Sequence, residues 1–147
     1  MSDRYEALSA FLDRFGWFDD SHLHSVHFES TLDHRVAVAL TFRAGDQQAG
    51  LAERTVRLVL EGVTEFHFAQ AVNWMRFETS AGVAIGRDGQ RFFLDLGGPE
   101  WRKVEDMPMD MAPSLPPRHL TAEEIRARGC YFDFTHVTMD VADAKSA

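Results

Sequence analysis

The sequence predicts a mainly β fold of the α+β kind. It is an antiparallel curved sheet or a β-sandwich, with an N-terminal helix and one short helix before the C-terminal strand. The first observation is the alternation in residues 54–61, where Val56, Leu58 and Leu60 point one way and Thr55, Arg57 and Glu61 the other. Successive side chains on a strand face opposite ways, so this is a strand with one buried face; Val59 is the apolar exception on the wet face. The second is that segment after segment repeats this period of two. The third is the placing of turn residues between them, with Asp88-Gly89 the strongest hairpin signal.

Each element follows in chain order. In residues 1–16, Tyr5, Leu8, Phe11, Leu12 and Phe15 recur at helical steps, and Gly16 stands where a left-handed cap ends a helix. Trp17 and Phe18 then lead the chain back into the core. Val26 and Phe28 share a face of the first strand. Val36, Val38, Leu40 and Phe42 share a face of the second, whose other face is small (Ala37, Ala39, Thr41) and open to a covering layer. Residues 31–34 form a hairpin connection and residues 44–52 a longer polar one. After the strand at 54–61, Phe66 and Phe68 alternate with Glu65 and His67. A weaker strand covers residues 73–79, and strands at 83–86 and 91–96 flank the Asp88-Gly89 turn.

Residues 105–119 hold four of the five prolines with Met107, Met109 and Met111, so they read as a surface connection: proline lacks the N–H that a central strand needs. A short helix follows, with Thr121 and Glu124 as a capping box, Leu120 and Ile125 as a staple and Gly129 as the stop. The last strand, 130–141, carries Cys130, Phe132 and Phe134 on one face, then Val137, Met139 and Val141 on the other. That change of phase at Thr135-His136 predicts a bulge or a passage between packing environments. The tail at 142–147 is expected to fray.

At 147 residues, with 12 Phe and 3 Trp, the chain 1–147 is expected to form one domain with a sizeable core. Cys130 is the only cysteine, which excludes an intrachain disulfide. A net charge of −8 argues against nucleic acid or an anionic membrane as partner and is compatible with a basic protein. Without a signal-like start or a long apolar run, the expected location is the cytoplasm.

Candidate chemistry is sparse. His22 and His24, at i and i+2 on a strand, suit two ligands of a zinc or iron site with Asp20 as the third. The alternative is that they are ordinary strand histidines, with His24 in phase with Val26 and Phe28 and no cofactor bound. Cys130, in phase with Phe132 and Phe134, reads as a small core residue and not as a nucleophile. Trp101 with Met107, Met109 and Met111 suits an adaptable partner-binding surface or a lid folded onto the sheet.

The order Phe15-Gly16-Trp17, Asp19-Asp20-Ser21-His22-Leu23, the strand 36–42, the run 56–63 leading to Phe66-His67-Phe68, and the closing Cys130-Tyr131-Phe132-Asp133-Phe134 resembles the immunity protein 50 family of bacterial toxin systems. The resemblance implies a non-catalytic protein that neutralises a toxin, here a basic one, by covering it. The expectation from the chain is therefore a binding protein. The alternatives are a small-molecule or metal site built on His22 and His24, and a domain that self-associates as a homodimer through an edge strand or the Met-Pro segment.

Overall fold

The computed structural model describes residues 4–18, 21–30, 35–67, 77–79, 82–96 and 118–143. Helix α1 (Arg4–Arg14) is followed by β1 (Ser21–Ser30), β2 (Val36–Asp46), β3 (Ala52–Val63), β4 (Phe66–His67) and β5 (Phe77–Thr79). Then come β6 (Ala84–Asp88), β7 (Arg91–Asp95), α2 (Ala122–Arg128), β8 (Tyr131–Phe134) and β9 (His136–Asp143). Among the described residues the strands form two sheets, one of five in the order β5-β1-β2-β3-β9 and one of four in the order β4-β8-β7-β6, and these do not close into a barrel. Every ladder is antiparallel.

The expected alternation builds the core. Val38, Leu40 and Phe42 of β2 and Val56, Leu58 and Leu60 of β3 are fully buried, facing Phe92, Leu94, Phe132 and Phe134 of the smaller sheet. Cys130 lies in this core. Leu8 and Leu12 of α1, and Phe15 just after it, pack into the same cluster. The other face of the smaller sheet carries Phe93 and Tyr131, which α2 covers with Ala122 and Ile125. Helix α2 has the full expected cap: the Thr121 hydroxyl accepts from the Glu124 amide, the Glu124 carboxylate accepts from the Thr121 amide, and Gly129 is left-handed.

The change of phase in the last strand is a passage from one sheet to the other. β8 pairs in the smaller sheet and β9 in the larger, with Thr135 between them. β3 and β4 make the same passage alongside. At this corner Gly62 has φ 72°, and a Cβ there would collide with the Thr135 hydroxyl, so any other residue would be strained and would have to displace Thr135. Asp133, 2% exposed, ties the corner together. It accepts from the Thr64 amide (2.8 Å), the Thr64 hydroxyl (2.9 Å) and the Glu65 amide (2.8 Å). Arg91 donates its Nε to the same carboxylate (2.8 Å) and an Nη to the Gly62 carbonyl (2.7 Å).

Three details depart from the sequence reading. The β1–β2 register slips between Leu23 and Ser25, leaving His24 as the extra residue. The slip puts Leu23 in the core beside Val26, while His24 is exposed and out of phase with Val26 and Phe28. After Gly16, Trp17 (φ 55°) and Phe18 (φ 57°) are also left-handed. Such a conformation costs a bulky residue roughly 1–2 kcal/mol. Burial offsets that cost: Phe18 is inaccessible and stacks on Phe42 at 4.1 Å, and the Trp17 carbonyl accepts from the Val83 amide. β9 also runs through Ala142 and Asp143, which pair with Thr55 and Arg54.

Asp46, at the end of β2, anchors α1. It accepts two bonds from Arg14 (3.0 and 2.8 Å) and one from the Gln48 amide (3.0 Å), with Arg54 at 3.5 Å. The Arg14 guanidinium is the main reason its carboxyl falls from 3.8 to about 2. A depressed carboxyl stabilises the fold above its ordinary value, and that contribution is lost as pH falls through the folded value. Between pH 3.8 and about 2, wild-type stability should therefore fall more steeply than that of Asp46→Asn, as measured by urea unfolding at each pH. Equal slopes would show that the Arg14 pair is not linked to folding. At neutral pH, Asp133→Ala should cost about 3 kcal/mol, because it strands Arg91 and the Thr64 and Glu65 amides. A loss under about 1 kcal/mol would mean the corner holds without the carboxylate.

Candidate functional site

The residues singled out in the sequence are placed unequally. His22 lies opposite Arg43 and Glu78, and its ring is adjacent to that of His24, with centroids 6.1 Å apart. His22 Nδ1 is buried and makes no hydrogen bond. Asp20, the expected third ligand, lies outside the described residues, as do Trp101, Met107, Met109 and Met111. Among the described residues no group of three His, Cys, Asp or Glu side chains has the geometry to hold a metal ion. Within those residues the pair supplies two imidazoles and no complete coordination set.

What the fold does assemble is a small aromatic bridge between the sheets. Phe28, on the core face of β1, meets Phe66 of β4 with ring centroids 5.0 Å apart. Both approach the fully buried Phe132, at 6.1 and 5.9 Å. Phe28 remains 44% exposed and Phe66 49%. Alternation alone marks both as core residues. They sit instead at the margin of the core, where one short strand of the smaller sheet passes the far end of β1.

The backbone beneath Phe66 is well held. Next to it, Glu65 accepts from Arg126 Nε (2.7 Å) and from the Tyr131 hydroxyl (2.7 Å). The Arg126 guanidinium, helped by that hydroxyl, holds the Glu65 carboxyl below its ordinary value. On the other side the His67 ring bonds the Gly129 carbonyl at the end of α2. The aromatic pair therefore sits on a backbone tied to α2 and to Asp133. Glu29 follows Phe28 in β1 and is exposed on the opposite face of the strand.

A second arrangement was not legible in the sequence. Tyr5, Glu6, Ser9, Ala10 and Asp13 of α1, with Trp17, Arg118 and His119, line an open groove of about 520 Å³. The Tyr5 hydroxyl bonds His119 Nδ1 at 2.8 Å, and the Trp17 indole meets the His119 ring edge-on at 5.4 Å. Residues 118–120 are held by a bridge between Ile85 and His119, which lets this part of the Pro-rich connection lie against β6. By its spacing Tyr5 belongs only to the stripe that docks α1, and nothing in the sequence ties it to His119, 114 positions away.

Comparison with known proteins returned no matching family model, no matching curated protein and no matching solved structure. The resemblance to the immunity protein 50 family thus has no support from a family match. What stands is a β-rich domain of two antiparallel sheets. No described helix is long and apolar enough to cross a membrane.

Proposed function

We propose that this chain is a protein-binding domain that acts by covering a surface of its partner, without chemistry of its own. The observation that carries this reading is the Phe28–Phe66 pair: two rings in tilted contact, each about half exposed, on a firmly held backbone. Aromatic rings with few rotatable bonds are the usual anchors of protein interfaces, and they act where a patch is already rigid. The charge of −8 favours a basic partner, which long-range attraction would bring in quickly. A toxin inhibitor of the immunity type is one protein of this description, and the chain pattern resembling that family fits it.

A second reading rests on the Tyr5–His119 bond beside Trp17, which gives the α1 groove convergent polar groups around an aromatic wall. Such a groove suits a small molecule. It moves the ligand-binding alternative away from His22 and His24.

Affinity purification from the source organism, followed by calorimetric titration of the purified partner, tests the first reading. The expected result is a stoichiometric complex with a basic protein. Phe28→Asp with Phe66→Asp should weaken it at least a hundredfold, because two anchors of about 2 kcal/mol each are lost. Thermal unfolding of the double variant, run in parallel, shows that the loss is not one of folding. Unchanged affinity in a folded double variant would contradict the proposal. So would a co-purifying small molecule that His119→Ala releases, which would place the function in the groove.

A further inference from the structure

The long edge of the larger sheet carries an inference that goes beyond the partner surface proposed above. β9 is the last strand of its sheet, and no described strand pairs with its outer side. It is 8 residues long, contains neither proline nor lysine, and pairs with β3 without a register shift. Edge strands are ordinarily kept short, bulged or studded with lysine, because an open ladder recruits other strands. The opposite edge, β5, is short, at 3 residues. β9 has none of these protections.

We propose that β9 pairs antiparallel with β9 of a second copy of this chain, about a two-fold axis at Thr138, joining two five-stranded sheets into one. A two-fold axis perpendicular to the sheet keeps each residue on its own face, so only residues of the same parity can oppose one another. With Thr138 opposite Thr138, His136 stands opposite Asp140 of the second copy, and Val137 opposite Met139.

The rest of the register supports that centre. Within the chain, β3 places Glu61 opposite His136, Val59 opposite Thr138 and Arg57 opposite Asp140. One outer row across the seam therefore reads Glu61, His136, then Asp140 and Arg57 of the second copy. Each carboxylate in it neighbours an imidazole or a guanidinium, and the two-fold axis repeats the row. The central row reads Val59, Thr138, Thr138, Val59. Opposite-charge and Thr–Thr cross-strand pairs are both favourable. A centre at Met139 sets Asp140 opposite Thr138 and leaves no charge pair, so the Thr138 register wins. On the other face, half-buried Val137 and Met139 each gain the other as an apolar neighbour across the seam.

Sedimentation equilibrium of the full chain at micromolar concentration, combined with cysteine cross-linking, tests both the association and its register. Thr138→Cys brings two thiols directly opposite each other, with Cα atoms about 4.5–5.5 Å apart, within disulfide reach. Ala142→Cys leaves its thiols about eight positions apart along the seam, roughly 26 Å. Both side chains are exposed, and the native Cys130 is buried, so neither variant disturbs the core. The expected result is a wild-type dimer, with covalent dimer forming from Thr138→Cys under mild oxidation and not from Ala142→Cys. A monomer by sedimentation overturns the proposal. A dimer in which Thr138→Cys cross-links no faster than Ala142→Cys also overturns it, since association would then use another face or register.

Discussion

The ion pair between Arg91 and Asp133 is the interaction on which the rest of the architecture depends. Two neighbouring chain segments cross from one sheet to the other at the same place, and a crossing leaves backbone amides without ladder partners. A carboxylate can accept several hydrogen bonds at once, and Asp133 takes two amides, a hydroxyl and a guanidinium. Arg91 reaches on to the Gly62 carbonyl, so the pair also fixes the residue whose missing side chain makes room for Thr135. A carboxylate buried as Asp133 is can be tolerated only when its bonding capacity is filled, and here it is, while Arg91 reaches it from the surface. The two sheets share one apolar core because this corner turns both segments together.

Elsewhere in the fold the other buried charges do related work. Asp46 fastens α1 to the end of β2 through Arg14, and Asp95 meets Arg128 of α2 under the smaller sheet. Each pair links a helix to a sheet, so both helices are fixed by charge as well as by apolar packing. The left-handed turn at Gly16, Trp17 and Phe18 is the short path from α1 back into the core, and it places Trp17 against His119. The groove is thus a product of the same packing that closes one end of the sandwich.

Much of the fold was legible because it rests on local rules. Thr121, Glu124 and Gly129 spell the α2 cap, Asp88-Gly89 spells the β6–β7 turn, and the change of phase at Thr135-His136 marks the passage between sheets. What stayed hidden depends on long-range partners. The slip at His24 is set by how β1 lies against β2, and no residue in the strand announces it. Asp133, between Phe132 and Phe134, looks like a solvent-facing residue until Arg91 is brought beside it. Phe66, between Glu65 and His67, looks like core until the end of the sheet is located. The candidate site was legible only as separate residues for the same reason. Both of its rings were assigned to strands, but their meeting and their exposure come from the topology of two sheets.

The proposed binding role rests on that topology. The aromatic pair sits where β4 leaves the corner, on backbone whose amide just before Phe66 is bonded to Asp133. A patch so held is ready for a partner without reordering, which is what a covering role requires. Native-state amide hydrogen exchange tests the central claim, that the Asp133 corner is part of one cooperative unit with the core. The amides of Thr64 and Glu65 should exchange only by global unfolding, at the same free energy as those of Leu58 in β3. If those two amides exchange through local opening while Leu58 stays protected, the corner is an ornament on an independently stable sheet, and the account is wrong.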